Sequence, residues 1–188
     1  MGRNDTKAAK SISRMYEQMN LDSNIILHKT KLLLEIYRDV VWATLHEANC
    51  VREHFSYYGN ELEDALIYLE SFAPNTEKEQ FEEKISGMFE NKWMIDLVDK
   101  AMTKVYDYYN NGRLYHEILS KCYLSAFRYT ESEILELLDM ERSTYYDRKK
   151  EAILLFGVSL WGYAIPAFRG IFACAAGVDD VPDFFQSR

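Results

Sequence analysis

The sequence predicts an all-helical protein, and three observations carry that prediction. Apolar residues recur three and four positions apart through most of the chain, as the inward stripe of a helix requires. Only eight Gly and three Pro interrupt 188 residues, 48% of which are hydrophobic. A helix-start signal, Thr followed three residues later by Glu, occurs at Thr76 with Glu79 and again at Thr130 with Glu133. The architecture expected is an N-terminal helical bundle with long helices, followed by a C-terminal helix-turn-helix domain.

Taken in order, residues 1–21 carry Arg3, Lys7, Lys10 and Arg14 among small and polar side chains. That composition suits a flexible or partly helical N-terminal arm, or a basic arm that touches phosphates. From Asp22 to Phe55 a single helical face collects Ile26, Leu33, Tyr37, Val40, Thr44, Ala48, Val51 and Phe55. A helix of that length, about 50 Å at 1.5 Å per residue, is either the spine of the core or a dimer seam. It also contains His46, Cys50 and His54. The two histidines stand about 12 Å apart along the axis, so the three side chains do not close on one metal ion.

Ser56 to Asn60 is a break, and Asn60 is expected to cap a helix from Glu61 to Phe72 with Leu62, Leu66 and Leu69 inward. Ala73 to Thr76 is a second break. Thr76 and Glu79 then open a long helical pattern through Phe81, Ile85, Met88 and Phe89, interrupted near Gly87 or Asn91 and resumed from Trp93 to Tyr109. Asn110-Asn111-Gly112 is the clearest turn, with two residues that tolerate the left-handed conformation and a Gly. The domain limit is expected there, separating region 22–109, for dimerisation or partner docking, from region 113–188. Leu114 to Phe127 is expected to form the first helix beyond it.

Arg128 to Gly157 carries the functional signal. Thr130 and Glu133 start a helix with Ile134, Leu135, Leu137 and Leu138 at helical spacing, and Asp139-Met140 interrupts it. In the helix that follows, Tyr145, Ala152, Ile153 and Phe156 share one face, to be packed on the first helix. The other side presents Arg142, Ser143, Thr144, Tyr146, Asp147 and Lys150, flanked by Arg148 and Lys149. Cations suit phosphates, and hydroxyl and guanidinium groups suit base edges, so these side chains are what a helix in a DNA major groove needs. A hairpin whose polar side is merely solvated offers the same pattern.

The string from Glu133 to Ile153, E-I-L-E-L-L-D-M-E-R-S-T-Y-Y-D-R-K-K-E-A-I, resembles the helix-turn-helix of the fourth conserved region of bacterial sigma factors. It is also similar to that of the ArpU/RinA-type phage late-gene transcriptional regulators. The resemblance covers about thirty residues. It departs from the pattern at Leu135, where Ala is usual, at Asp139, where the turn usually has Gly, and at Glu141, where a Ser usually caps the second helix. Asp tolerates the left-handed turn, and Ser143 is expected to cap a helix that starts two residues late.

The resemblance implies sequence-specific DNA binding and transcription regulation in a phage or prophage setting. Arg142, Ser143 and Tyr146 would then read bases, and Arg148, Lys149 and Lys150 would hold phosphates. Double-stranded DNA is the expected partner of a homodimer, with RNA polymerase as a second partner. Two alternatives stay open: a sigma-like polymerase-binding factor, and a helical protein-interaction module that never meets DNA.

Net charge is −8, but it is unevenly spread. Residues 60–100 hold eleven acids and four bases, net −7, whereas 113–151 hold eight acids and seven bases, net −1. The acidic region 61–99 is either a solvated face or a dock for a basic partner. Ala152 to Phe168 is seventeen residues without a charge, but it contains Gly157, Gly162 and Pro166. A helix extension into the core followed by a small packing helix, burying Trp161, Phe168 and Phe172, is expected rather than a membrane span. Cys50, Cys122 and Cys174 have no paired spacing, which suits a cytoplasmic protein. His28, His46, His54 and His116 are scattered, and no phosphate-cradling Gly loop or nucleophile elbow is present. No catalytic residue, metal or cofactor is expected.

Overall fold

The computed structural model describes residues 6–47, 59–72, 79–81, 83–84 and 92–175. The protein is all-α, with no strand among the described residues. We number its helices α1 (Lys7–Gln18), α2 (Ser23–Glu47), α3 (Gly59–Ser71), α4 (Lys92–Tyr106), α5 (Gly112–Leu119), α6 (Glu131–Leu137), α7 (Arg142–Gly157) and α8 (Ile165–Ala175). A π-helical turn, Ser120–Leu124, extends α5, and a second π-helical stretch, Val158–Ala164, joins α7 to α8.

α2 is the spine of the core. Ile26, Leu33, Leu34, Ile36 and Tyr37 are buried, and α2 lies along α7. The close approach of the two helices depends on Gly157. A Cβ there would come within 2.7 Å of Thr30 Oγ1 and 2.8 Å of both Ile26 Cγ2 and the Tyr16 hydroxyl. α4 packs on α5 and on the π-helical stretch after α7, burying Met94, Leu97, Val98, Ala101 and Val105.

Helix ends leave carbonyls without intrahelical donors, and distant side chains satisfy several of them. The Trp161 indole N–H donates to Leu69 O at 3.1 Å, and Lys29 Nζ donates to Glu70 O at 2.6 Å, so two carbonyls near the end of α3 are tied to other helices. Where the π-helical turn ends, Arg38 Nη2 of α2 donates to Cys122 O at 2.9 Å and to Lys121 O at 3.3 Å.

Several expectations are corrected. The N-terminal arm is a helix from Lys7 to Gln18, capped by Thr6. Ala8, Ile12 and Tyr16 recur every four residues on its buried side, and the Tyr16 hydroxyl donates to Leu154 O at 2.8 Å. Lys7, Lys10 and Arg14 are exposed on the opposite side. α3 begins at Gly59, so Asn60 lies within the helix rather than capping it. The turn at Asn110-Asn111-Gly112 is present, with Asn111 at φ 65°, but the core does not stop there. One apolar cluster runs continuously from Ala8 on α1 through Val105 on α4 to Phe156 and Ile165, so regions 22–109 and 113–188 share a core.

The uncharged run from Ala152 continues the helix. Arg142 to Gly170 is long and apolar enough to cross a membrane by length and composition, and 67% of its most apolar window is buried inside the fold. Trp161 is buried and the Phe168 ring stacks on Trp93, with centroids 5.9 Å apart. Cys50, His54, the Thr76 cap and the side chains of His46, Ile85, Met88, Phe89 and Phe172 lie outside the described residues.

Candidate nucleic-acid interface

α6 and the first turns of α7 form a helix, a tight turn and a second helix. Thr130 is the N-cap of α6: its side chain accepts from the Glu133 N–H at 3.3 Å, while a Glu133 carboxylate oxygen accepts from the Thr130 N–H at 2.6 Å. The bond from the Thr130 N–H, and after it one from the Thr130 hydroxyl at 2.8 Å, hold the Glu133 carboxyl below its ordinary pKa. α6 ends where Asp139 adopts φ 47°, a left-handed residue that turns the chain toward α7. The Asp stands there because a short polar side chain reaches this conformation at lower cost than a bulky one.

α7 starts at Arg142 with Glu141 in the N-cap position, and Glu141 makes no side-chain capping bond. Ser143 is therefore inside the helix, and the expectation that it caps a later start is corrected.

The two helices are held together by a small cluster separate from the main core. Ile118 of α5, Ile134 of α6 and Tyr145 of α7 are buried together, with Leu114, Cys122, Tyr129, Leu135 and Leu138 packed around them. The Tyr145 hydroxyl lies 3.1 Å from Cys122 Sγ, and burial raises its pKa. Tyr145 is thus the anchor that the sequence expects, although its partners come from α5 as well as α6.

The residues expected to meet DNA divide into two groups. Arg142, Ser143, Thr144, Tyr146 and Lys150 are exposed. Lys150 makes no ion pair among the described residues. Arg148 and Lys149 are half-buried and turned toward the body of the protein. Arg148 Nη1 pairs with Glu151 Oε2 at 2.7 Å, and Lys149 Nζ lies 5.1 Å from the Tyr123 ring centroid and 5.6 Å from that of Tyr145. The structure separates these two cations from the exposed group with which the sequence grouped them.

Two acids that the sequence did not single out organise this surface. Glu151 is buried, and its carboxylate gathers the Thr6 hydroxyl, the Tyr115 hydroxyl at 2.7 Å and the Arg148 guanidinium, joining α1, α5 and α7. A clue lies in its position: it stands immediately before the uncharged run that begins at Ala152, three residues after an Arg that can neutralise it. Glu131, in the first turn of α6, reaches across to α7. Its Oε1 pairs with Arg142 Nε at 2.7 Å and its Oε2 accepts from the Tyr146 hydroxyl at 2.6 Å. No local spacing reveals this contact, because the partners lie on different helices.

Among the described residues no group of three or more His, Cys, Asp or Glu side chains is placed to hold a metal ion. A shallow cleft beside the unit, lined by Leu34, Glu35, Arg38, Asp39, Cys122, Tyr123 and Arg128, has room for little more than water. No family model, curated protein or solved structure matches the chain.

Proposed function

We propose that this chain is a sequence-specific DNA-binding regulator of transcription whose α6–α7 unit is a helix-turn-helix, with α7 as the major-groove reader. The observation that carries the reading is the placement of Arg142, Ser143, Thr144, Tyr146 and Lys150 on exposed positions over the first turns of a helix anchored from behind by Tyr145. A recognition helix needs both features: donors that reach base edges and phosphates, and a rigid mounting that sets their register. Arg142, Ser143 and Tyr146 read bases in this account, and Lys150 holds a phosphate. Arg148 and Lys149 contribute field rather than direct contacts. The phage or prophage setting follows from the sequence resemblance and stands with it as part of the proposal.

One observation favours a second reading, a protein-interaction module. Glu133, Glu136, Asp139 and Glu141 are exposed around the same unit, and Leu137 is 56% exposed on α6. A basic, partly apolar protein surface such as one on RNA polymerase would suit that combination.

Titration of random duplex DNA against the protein at several salt concentrations separates the two. The DNA reader binds with an affinity that falls linearly on a log–log plot against salt, and Lys150→Ala makes the slope shallower by about one unit. The interaction module shows no salt-dependent binding to duplex.

A further inference from the structure

We propose that Glu131 is a positioning residue that makes Arg142 a reader of guanine. This inference rests on the DNA-binding reading and adds to it the base recognised and the residue that enforces the choice.

A guanidinium has two donor edges, one that includes Nε and one made by the two terminal nitrogens. Glu131 takes the first, with Oε1 2.7 Å from Arg142 Nε. Its other oxygen is held by the Tyr146 hydroxyl at 2.6 Å, so the carboxylate is fixed by two residues of the helix it faces. The Arg142 guanidinium also lies 5.9 Å from the Tyr146 ring centroid. These contacts restrict a long, flexible side chain whose surface is still 72% exposed.

Occupying the Nε edge leaves the pair of terminal nitrogens as a bidentate donor. In the major groove guanine presents two adjacent acceptors, O6 and N7, whereas adenine pairs its N7 acceptor with an N6 donor. A held Arg fork therefore matches guanine and meets a like donor on adenine. A mobile Arg spreads its contacts over phosphates and bases and gains affinity without the same discrimination. The carboxylate is tolerated at this place because it lies in the first turn of α6, where the helix dipole favours negative charge.

The test is selection of bound sites from a random duplex library, followed by affinity measurements on single-base variants of the selected site. It is run with the wild-type protein, Arg142→Lys, Glu131→Gln, Glu131→Ala and Tyr146→Phe, each checked for an unchanged helical signal and melting temperature. The wild type is expected to prefer guanine at one position of each half-site by about tenfold or more over other bases. Arg142→Lys removes that preference, since an ammonium is a point donor. Glu131→Ala flattens it several-fold while affinity for random duplex holds or rises, because an acid near the phosphates is gone. Glu131→Gln and Tyr146→Phe fall between.

An unchanged or sharper guanine preference in Glu131→Ala overturns the inference, as does wild-type binding with no guanine preference sensitive to Arg142→Lys. In both cases the DNA-binding reading survives. Absence of binding to any duplex by the wild type ends that reading, and the inference with it.

Discussion

Along α7, residues 142–150 bury only Tyr145, whereas residues 151–157 leave only Leu154 partly accessible. The two stretches belong to one unbroken helix, yet they rest on different physics. The first is held by a small cluster of Ile118, Ile134 and Tyr145, together with a few polar contacts at its rim. The second is embedded in the main core between α2 and the other helices, where Ala152, Ile153, Leu155 and Phe156 are buried. The apolar character of α7 changes along its axis rather than around it. A helix built this way can present its beginning to a partner while its end supplies the rigidity that the presentation requires.

The largest effect is expected at the buried end. Phe156→Ala removes a fully buried ring from the main core and should cost about 3–5 kcal/mol of stability, a loss that urea unfolding measures directly. A loss comparable to that of an exposed substitution would mean that the second half of α7 is not a core element. A smaller change is expected at the mounting of the exposed end. Thr130→Ala deletes the cap of α6 and should cost about 1 kcal/mol in the same assay.

The cap also has a pH signature. Because Glu133 titrates below its ordinary value in the folded protein, its contribution is present at neutral pH and disappears as pH falls through that lowered value. The acid sensitivity of the wild type should therefore shrink in Glu133→Gln, since the amide has no charge to titrate. Equal pH profiles for the two proteins would contradict the role of the capping box.

The all-helical class and the local punctuation were legible in the sequence because they depend on residues near one another. The Thr130–Glu133 capping box and the left-handed tolerance of Asp139 and Asn111 are short-range chemistry, and each stands where the spacing indicated. The burial of Tyr145 followed from helical periodicity for the same reason. Tertiary relations were harder to read. Ala8, Ile12 and Tyr16 form a regular stripe, but basic neighbours concealed it, so a flexible or partly helical arm was expected rather than a helix packed on the core.

The shared core across Asn110–Gly112 was not visible either, because a turn tripeptide marks a change of direction whether or not the core continues past it. Glu131 and Glu151 acquire their roles from partners on other helices, so composition alone made them ordinary solvated acids. The same limitation grouped Arg148 and Lys149 with Lys150, although three consecutive helical residues point in three directions.

The most direct measurement follows backbone amide resonances of the isotopically labelled protein as a selected duplex is added. The account predicts that shifts concentrate at Arg142–Lys150 and the start of α6 near Thr130 and Glu131, and that Ala152–Phe156 stay nearly unmoved. Shifts that avoid the first turns of α7, or a duplex that perturbs no residue at low salt, would contradict it.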